Sequence, residues 1–200
     1  MKKLTALLLT LMLLLGCASA LAETATETAW MTQEFDDFTI EIPEDMVGET
    51  ADSIEDGAVF MILYPNYDEN ASFATNINFV WSSAVQDLSA VDAATVGQQI
   101  MTTAYAQYNE YGITTANETL VSAAMDEVGG KPALSLMYSA DCDYTALGGT
   151  QLTLYTVQAI VSDAAFGTYT ITVSIPADYI NDADMMTLIE QITNSIQWKN

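Results

Sequence analysis

Carboxylates are the most abundant side chains of this chain that could do chemistry. The 200 residues include 27 Asp and Glu residues, four Lys, no Arg and no His. A glycosidase needs one carboxyl group as an acid and a second as a nucleophile or base, with pKa values that diverge. Adjacent acids occur at residues 36–37, 44–45, 55–56 and 126–127. Most of these pairs lie in predicted loops and strand ends, so we interpret them as solvated surface charge.

Calcium binding is a second kind of chemistry that carboxylates support. Ca²⁺ prefers several oxygen ligands from a flexible loop, and acidic loops lie at residues 68–70, 141–143 and 178–184. We regard Asp178, Asp182 and Asp184 as the first calcium candidates. None of these loops has the EF-hand spacing, and acids just before a helix also act as its N-terminal caps. Capping is the simpler interpretation, and a calcium site stays the alternative.

Nucleophilic catalysis lacks its usual partners in this sequence. Without histidine there is no Ser-His-Asp or Cys-His arrangement and no His-ligated metal. Cys142 lies between Asp141 and Asp143, whose charges should raise the thiol pKa and weaken it as a nucleophile. Lys131 follows a turn and Lys199 is next to last, and neither position indicates the burial that lowers a lysine pKa. We predict no catalytic residue, no cofactor and no enzymatic activity.

The first 22 residues have the pattern of a secretory signal peptide. A positively charged start, MKK, precedes an apolar run over residues 4–15, which is shorter than the roughly 20 residues of a transmembrane helix. We expect export from a bacterium, with cleavage after Ala22. The competing site is a lipobox that ends at Cys17, where lipidation would anchor the chain to a membrane.

Net charge narrows the classes of partner. The formal charge is −23, and a chain cleaved after Ala22 keeps two lysines and all 27 acids, which gives −25. Such a chain repels phosphate backbones, because nucleic-acid affinity depends on Lys and Arg, and it lacks the basic residues that dock on anionic bilayers. We therefore expect no nucleic acid, and membrane contact only through a lipid on Cys17.

Hydrophobic patterns divide the chain beyond the leader into a tether and one domain. Residues 23–33 are rich in Thr and Glu and predict a tether, and residues 34–200 predict a single domain. Alternation and apolar runs predict strands at residues 38–42, 58–64, 73–81, 120–128, 133–142, 151–162 and 168–175. Gly129-Gly130 predicts a tight hairpin turn.

Two helices are predicted from apolar residues that recur every three or four positions. The first lies between Asp92 and Gly112, and the second begins near Asn181 or Asp182. The first stripe comprises Val96, Ile100, Ala104 and Tyr108, and the second comprises Met185, Leu188, Ile189, Ile192 and Ile196. We expect Trp198 to close the core beyond the second helix.

Several sequence motifs follow one another in the order of these elements. The entry strand reads FTIEIPEDM, the Gly-Gly hairpin VGGKPALSLMY, a later strand YTITVSIPAD and the chain end ITNSIQW. These motifs and their order resemble the PsbP-like family, including its DcrB-like extracytoplasmic domains in bacteria. The resemblance covers about residues 34–199. It implies an α+β fold, an α/β sandwich in which an antiparallel sheet of about six to seven strands carries two main helices. No family site residue matches a position here, so none is carried over.

The sequence thus predicts an exported, non-enzymatic interaction module. Its partner is an unknown protein or cell-wall polymer, with a basic or hydroxyl-rich surface favoured by the acidic charge. The candidate contact surfaces are the polar strand face of Thr170, Thr172 and Ser174, and the loops with Tyr64, Tyr67 and residues 143–150. The alternative is a carboxylate-based ligand- or calcium-binding protein, or a hydrolase, of the cell envelope.

Overall fold

The computed structural model describes residues 29–67 and 73–199, which form two antiparallel sheets and two α-helices. The strands are β1 (Trp30–Glu34), β2 (Phe38–Pro43), β3 (Val47–Thr50), β4 (Val59–Tyr64), β5 (Asn76–Ser82), β6 (Thr114–Val128), β7 (Lys131–Asp143), β8 (Gln151–Asp163), β9 (Gly167–Pro176) and β10 (Gln197–Trp198). The helices are α1 (Ala93–Glu110) and α2 (Ala183–Asn194). Seven strands pair in the order β3-β4-β5-β9-β8-β7-β6, and β1-β2-β10 form the smaller sheet. The predicted α+β class is confirmed.

The large sheet has two faces, and each packs against a different layer. On one face, which we call the α1 face, β7 contributes Leu134, Leu136 and Tyr138 to a core shared with α1. On the other, the α2 face, the buried residues Ile171, Val173 and Ile175 of β9 pack in a core with α2 and the small sheet. Successive strand residues point to opposite faces, so each long strand supplies both cores.

Helix α1 lies on the sheet closely enough to bury one more row of side chains than the sequence predicts. The predicted stripe is half-buried, while Gly97, Met101 and Tyr105 are buried. Gly97 has no side chain at the contact, and a Cβ there would lie 2.9 Å from the Leu136 side chain. Tyr105 is 2% exposed, so its ring and its hydroxyl are both buried in this core.

Helix α2 begins and packs as the sequence predicts. The Asp182 carboxylate accepts hydrogen bonds from the backbone N–H groups of Asp184 and Met185 at 3.1 and 3.0 Å, which caps the helix. Met185, Ile189 and Ile192 are buried against the sheet. Beyond the helix, Trp198 stacks on Phe166 at 4.7 Å and donates from Nε1 to the Val128 carbonyl oxygen, so it closes the core as expected.

Three short strands were not predicted. Residues 30–33, predicted as tether, form most of β1 and pair with β2; the tether prediction is wrong there because β1 is largely exposed and shows no hydrophobic alternation. Strand β3 has four exposed residues, and β10 has two residues. The leader, Cys17 and the acidic loop at 68–70 lie outside the described residues. Within the described ranges, neither helix combines the length and hydropathy needed to cross a bilayer.

Candidate functional site: an apolar groove with an acidic rim

The α2 face of the large sheet is covered at β9 and becomes progressively more exposed toward β6. The β9 residues of this face are buried, Val157 and Ala159 of β8 are half-buried, and Ser135 and Met137 of β7 are also half-buried. On β6, Ala124 is exposed. Helix α2 therefore covers one side of this face and leaves the β6–β7–β8 side open.

An open groove of about 680 Å³ lies along α2 on this uncovered side. Its floor is apolar and includes Val157, Ala159 and Val173, and one wall is the side of α2 that carries Met186 and Glu190. Apolar side chains left half-exposed in a continuous groove are typical of a contact surface, because covering them releases hydration water.

Carboxylates lie on both sides of this groove. Asp126, near the end of β6, lies on one rim, and Glu190 lies on the opposite wall. The lysines of the described chain are engaged elsewhere: Lys131 pairs with Asp163 at 2.7 Å and Lys199 with Glu34 at 2.8 Å. We name the floor and these two carboxylates together the acidic-rimmed groove.

A second, more polar cavity of about 610 Å³ lies where β7 and β8 meet the turn after β9. Asp141, Asp143 and Asp178 are among its lining residues. Thr153 and Asn117 donate to Asp141, each at 2.6 Å, and these bonds hold the pKa of that carboxyl below its usual value. A carboxylate held ionised is a poor general acid at neutral pH.

The Asp143 carboxylate also accepts several hydrogen bonds. The Thr145 hydroxyl and backbone N–H both donate to Oδ1, Gln151 donates to Oδ2, and together they lower the carboxyl pKa. Within residues 29–67 and 73–199, no group of three or more acidic or cysteine side chains is arranged to hold a metal ion. Asp182 is engaged as the cap of α2, and calcium binding by Asp178, Asp182 and Asp184 stays a prediction.

The thiol of Cys142 is buried in the core beside α1. Its Sγ lies 3.8 Å from the Ala140 carbonyl oxygen, to which it donates. Burial raises the pKa of Cys142 to about 11, and the charge of Asp141 adds to the rise. The upward direction agrees with the sequence argument, but burial rather than the flanking acids is its main cause.

The exposed tyrosines of the described chain are separate from the buried ones. Tyr105 is buried while Tyr111, six residues later, is 74% exposed, so these two rings do not lie on one surface. Tyr64 and Tyr67 contact each other edge to face at 5.8 Å, and the Tyr67 side chain is exposed.

The predicted polar strand face lies on the α1 face of β9 and is less open than expected. Ser174 is buried, and Thr172 accepts a hydrogen bond from Gln158 Nε2 at 3.1 Å. Across β5, Asn76 and Asn78 lie opposite Ser174 and Thr172. Asn78 donates to Asn76 at 3.3 Å, so several polar groups of this surface are paired with one another.

The groove residues were not identified from the sequence. One sequence feature could have indicated the groove. This feature is a row of residues on α2 that is separate from the buried stripe and recurs at helical spacings of three and four, namely Ala183, Met186, Glu190 and Thr193. This row predicts a second contact side of α2 but does not tell which strands lie beside it. The position of the groove therefore depends on which strands α2 covers.

Known proteins resemble this chain in structure but not in sequence. No family model and no curated protein sequence matches it. The solution structure of cyanobacterial PsbP (CyanoP) from Synechocystis sp. PCC 6803 matches with a TM-score of 0.59 and 13% identity, covering 90% of this chain and 99% of that one. A protein of unknown function from Pseudomonas aeruginosa, PA94, matches with a TM-score of 0.42 and 15% identity, covering 81% and 94%. The CyanoP match confirms the predicted PsbP-like resemblance for the fold.

Proposed function

We propose that this chain is an exported, non-enzymatic interaction module that binds a basic partner protein in the acidic-rimmed groove. The observation that carries the proposal is the apolar floor between two carboxylates, with Asp126 on one side and Glu190 on the other. Cationic residues of a partner would be attracted to both rims, and its apolar residues would cover the floor.

The ionisation of the described side chains supports a role without catalysis. General acid catalysis near neutral pH draws on a carboxyl whose pKa is raised. The carboxyls with a shifted pKa, at Glu34, Asp56, Asp87, Asp141, Asp143 and Asp163, are all shifted downward. The buried thiol has a raised pKa, which keeps it in the less nucleophilic protonated form.

Position-specific photo-crosslinking in the producing bacterium tests the proposal. A photoreactive phenylalanine analogue replaces Ala159 on the groove floor, and the matched control replaces the exposed Tyr111 on the other side of the sheet. We expect a basic protein to crosslink from position 159 but not from 111, and the yield to fall in Asp126→Asn/Glu190→Gln. Equal capture from both positions, capture of an acidic partner, or no capture would overturn the proposed partner.

A substrate screen tests the non-enzymatic part separately. The purified protein is incubated with glycan, ester, peptide and phosphoester substrates, and we expect no turnover above background. Turnover that is lost in Asp141→Asn, whose carboxylate lines the polar cavity, would favour a carboxylate-based hydrolase instead.

Export is a third part of the proposal, and it depends on the leader. Signal peptidase cleavage after the A-x-A sequence that ends at Ala22 would leave Glu23 as the first residue. We expect intact-mass measurement of the exported protein to give the mass of residues 23–200. A chain that begins at Cys17 and carries a diacylglyceryl mass would instead indicate a membrane-anchored lipoprotein.

A further inference from the structure

The width of the uncovered sheet limits what can fill the acidic-rimmed groove. Neighbouring strands are about 4.8 Å apart, so the open surface from β8 across β7 to β6 is about 10 Å wide. One α-helix with its side chains is about 10–12 Å across. The open side therefore has room for one helix beside α2, whereas a single extended strand would leave part of the floor uncovered.

Helix α2 presents a side suited to pairing with another helix. Ala183, Met186, Glu190 and Thr193 line the groove, and their spacing of three, four and three residues is that of a helix–helix seam. Met185, Ile189 and Ile192 occupy a different side and are buried on the sheet. Small residues at both ends of the seam, Ala183 and Thr193, allow a neighbouring helix to approach to about 8–10 Å.

On the open side of the sheet, a row of small side chains lies next to a row that contains larger apolar ones. The register places Ala124, Ser135 and Ala159 in one row across β6, β7 and β8, and Ser122, Met137 and Val157 in the next row. Small side chains in the first row leave depth for the apolar face of a helix. Met137 and Val157 are half-buried and supply apolar contact area.

The charges decide which helix fits. Asp126 and Glu190 lie on opposite sides of the floor, so a helix with an apolar stripe between two rows of Lys or Arg would meet a carboxylate on each side. An acidic helix would meet like charge on both sides and the field of a chain with formal charge −23. A second copy of this chain would bring the same carboxylates together, so it is not the expected occupant.

We propose that the acidic-rimmed groove receives one amphipathic, Lys- or Arg-rich α-helix of the partner, which packs antiparallel or parallel to α2 and completes the helical layer on this face. This inference rests on the proposed function and specifies the secondary structure that the basic partner presents. The helix covers Val157 and Ala159 with its apolar stripe and places cations against Asp126 and Glu190.

Two synthetic peptides of identical composition test the inference. The protein is the full-length chain, purified in whatever processed form the expressing bacterium produces. One 18-residue Leu/Lys peptide has leucines at helical spacing and forms an amphipathic helix, and the other has the same residues in scrambled order without a stripe. Binding is measured by fluorescence anisotropy, and helix formation by circular dichroism. We expect the amphipathic peptide to bind at least tenfold more tightly and to gain helicity when bound.

Protein variants locate the binding site. Asp126→Asn/Glu190→Gln should weaken binding of the amphipathic peptide about fivefold, the scale of two partly exposed charge pairs. The matched control, Asp52→Asn/Glu110→Gln, makes the same change in net charge at exposed positions outside the groove and should change the affinity much less. Ala159→Leu fills the groove without changing charge and should also weaken binding, with its unfolding midpoint measured to show that it folds.

The outcomes separate this inference from the proposed function. Equal affinity for the two peptides overturns the helix inference while leaving a basic partner supported by crosslinking at position 159. Equal loss in the rim variant and its control, or no binding of either peptide, also overturns the helix inference. The crosslinking experiment tests the proposed function independently of the peptides. Equal capture from positions 159 and 111 would show that the partner does not bind in the groove.

Discussion

Several side chains with ionisable hydroxyl or thiol groups have a raised pKa in the folded protein. They are the buried Tyr105, Tyr138, Cys142 and Tyr169 and the half-buried Tyr108 and Tyr144, and in each case burial is the main cause. Tyr169 also donates its hydroxyl hydrogen to the Asp37 carboxylate at 2.7 Å, which favours the protonated form further. These residues contribute packing to the two cores and no reactive anion at neutral pH.

Alkaline pH should therefore unfold this protein more easily than neutral pH. The Cys142 thiol ionises near pH 9 when unfolded and at about 11 when folded, so its contribution is complete below pH 9 and is lost as pH rises to 11. The raised tyrosine pKa values act in the same direction above pH 10. Urea unfolding at pH 8, 9, 10 and 11 should show falling stability, less steeply in Cys142→Ala. Constant stability to pH 11, or rapid native-state labelling of the thiol at pH 8, would contradict this.

The two glycines of the β6–β7 turn have similar backbone conformations but different surroundings. Both have positive φ, 57° at Gly129 and 76° at Gly130, which confirms the predicted two-residue hairpin. A Cβ at Gly129 would lie 2.5 Å from the Ile196 carbonyl oxygen and 2.9 Å from the Trp198 ring, whereas a Cβ at Gly130 would meet nothing within 4 Å.

Alanine at these two positions should have unequal effects on stability. Gly130→Ala forces a left-handed conformation and should cost about 1 kcal/mol of unfolding free energy. Gly129→Ala adds a steric clash with the segment that closes the core, so we expect at least about twice that loss. Urea denaturation of both variants measures the difference, and equal destabilisation would show that the Trp198 segment moves aside without cost.

At the scale of elements, the sequence predicts those with a strong internal pattern and misses those stabilised by a neighbour. Both helices and the long hairpins have repeating apolar residues or turn glycines. Strands β1, β3 and β10 are short or exposed, and their pairing depends on the backbone of β2 or β4. The location of the groove depends on tertiary packing, because α2 packs on β9 rather than on β7. The apolar stripe of α2 predicts that it packs on a sheet but not on which strands.

The cap of α2 offers a prediction at this scale. Replacing Asp182 by Ala removes the acceptor for two backbone N–H groups and should lower the unfolding free energy by about 1 kcal/mol. Asp182→Asn removes the charge but keeps an acceptor oxygen, so it should retain most of the stability. Thermal or urea unfolding of both variants distinguishes capping from charge. Equal losses would indicate that the charge of Asp182, and not its hydrogen bonds, supports the helix.

At the scale of the whole molecule, charge and shape act together. The formal charge of −23 keeps copies apart and destabilises the compact state through self-repulsion. The two described lysines are both paired, so they offset the field only locally. The same surplus of carboxylates that lowers stability also attracts a basic partner, and binding such a partner should stabilise the fold.

Salt should raise the stability of this protein, and the kind of ion should matter little. Sodium chloride between 10 and 300 mM shortens the range of repulsion, and we expect a gain on the order of 1 kcal/mol, about 2–4 °C in the unfolding midpoint for a chain of this size. Calcium and magnesium chloride at equal ionic strength should give similar further gains, because diffuse screening does not distinguish them. A gain with calcium alone that saturates at micromolar concentration would contradict diffuse screening and indicate a specific site. Replacing Asp178, Asp182 and Asp184 by Asn would then locate the site. Because Asp182 also caps α2, the stability of Asp182→Asn must be measured both with and without calcium.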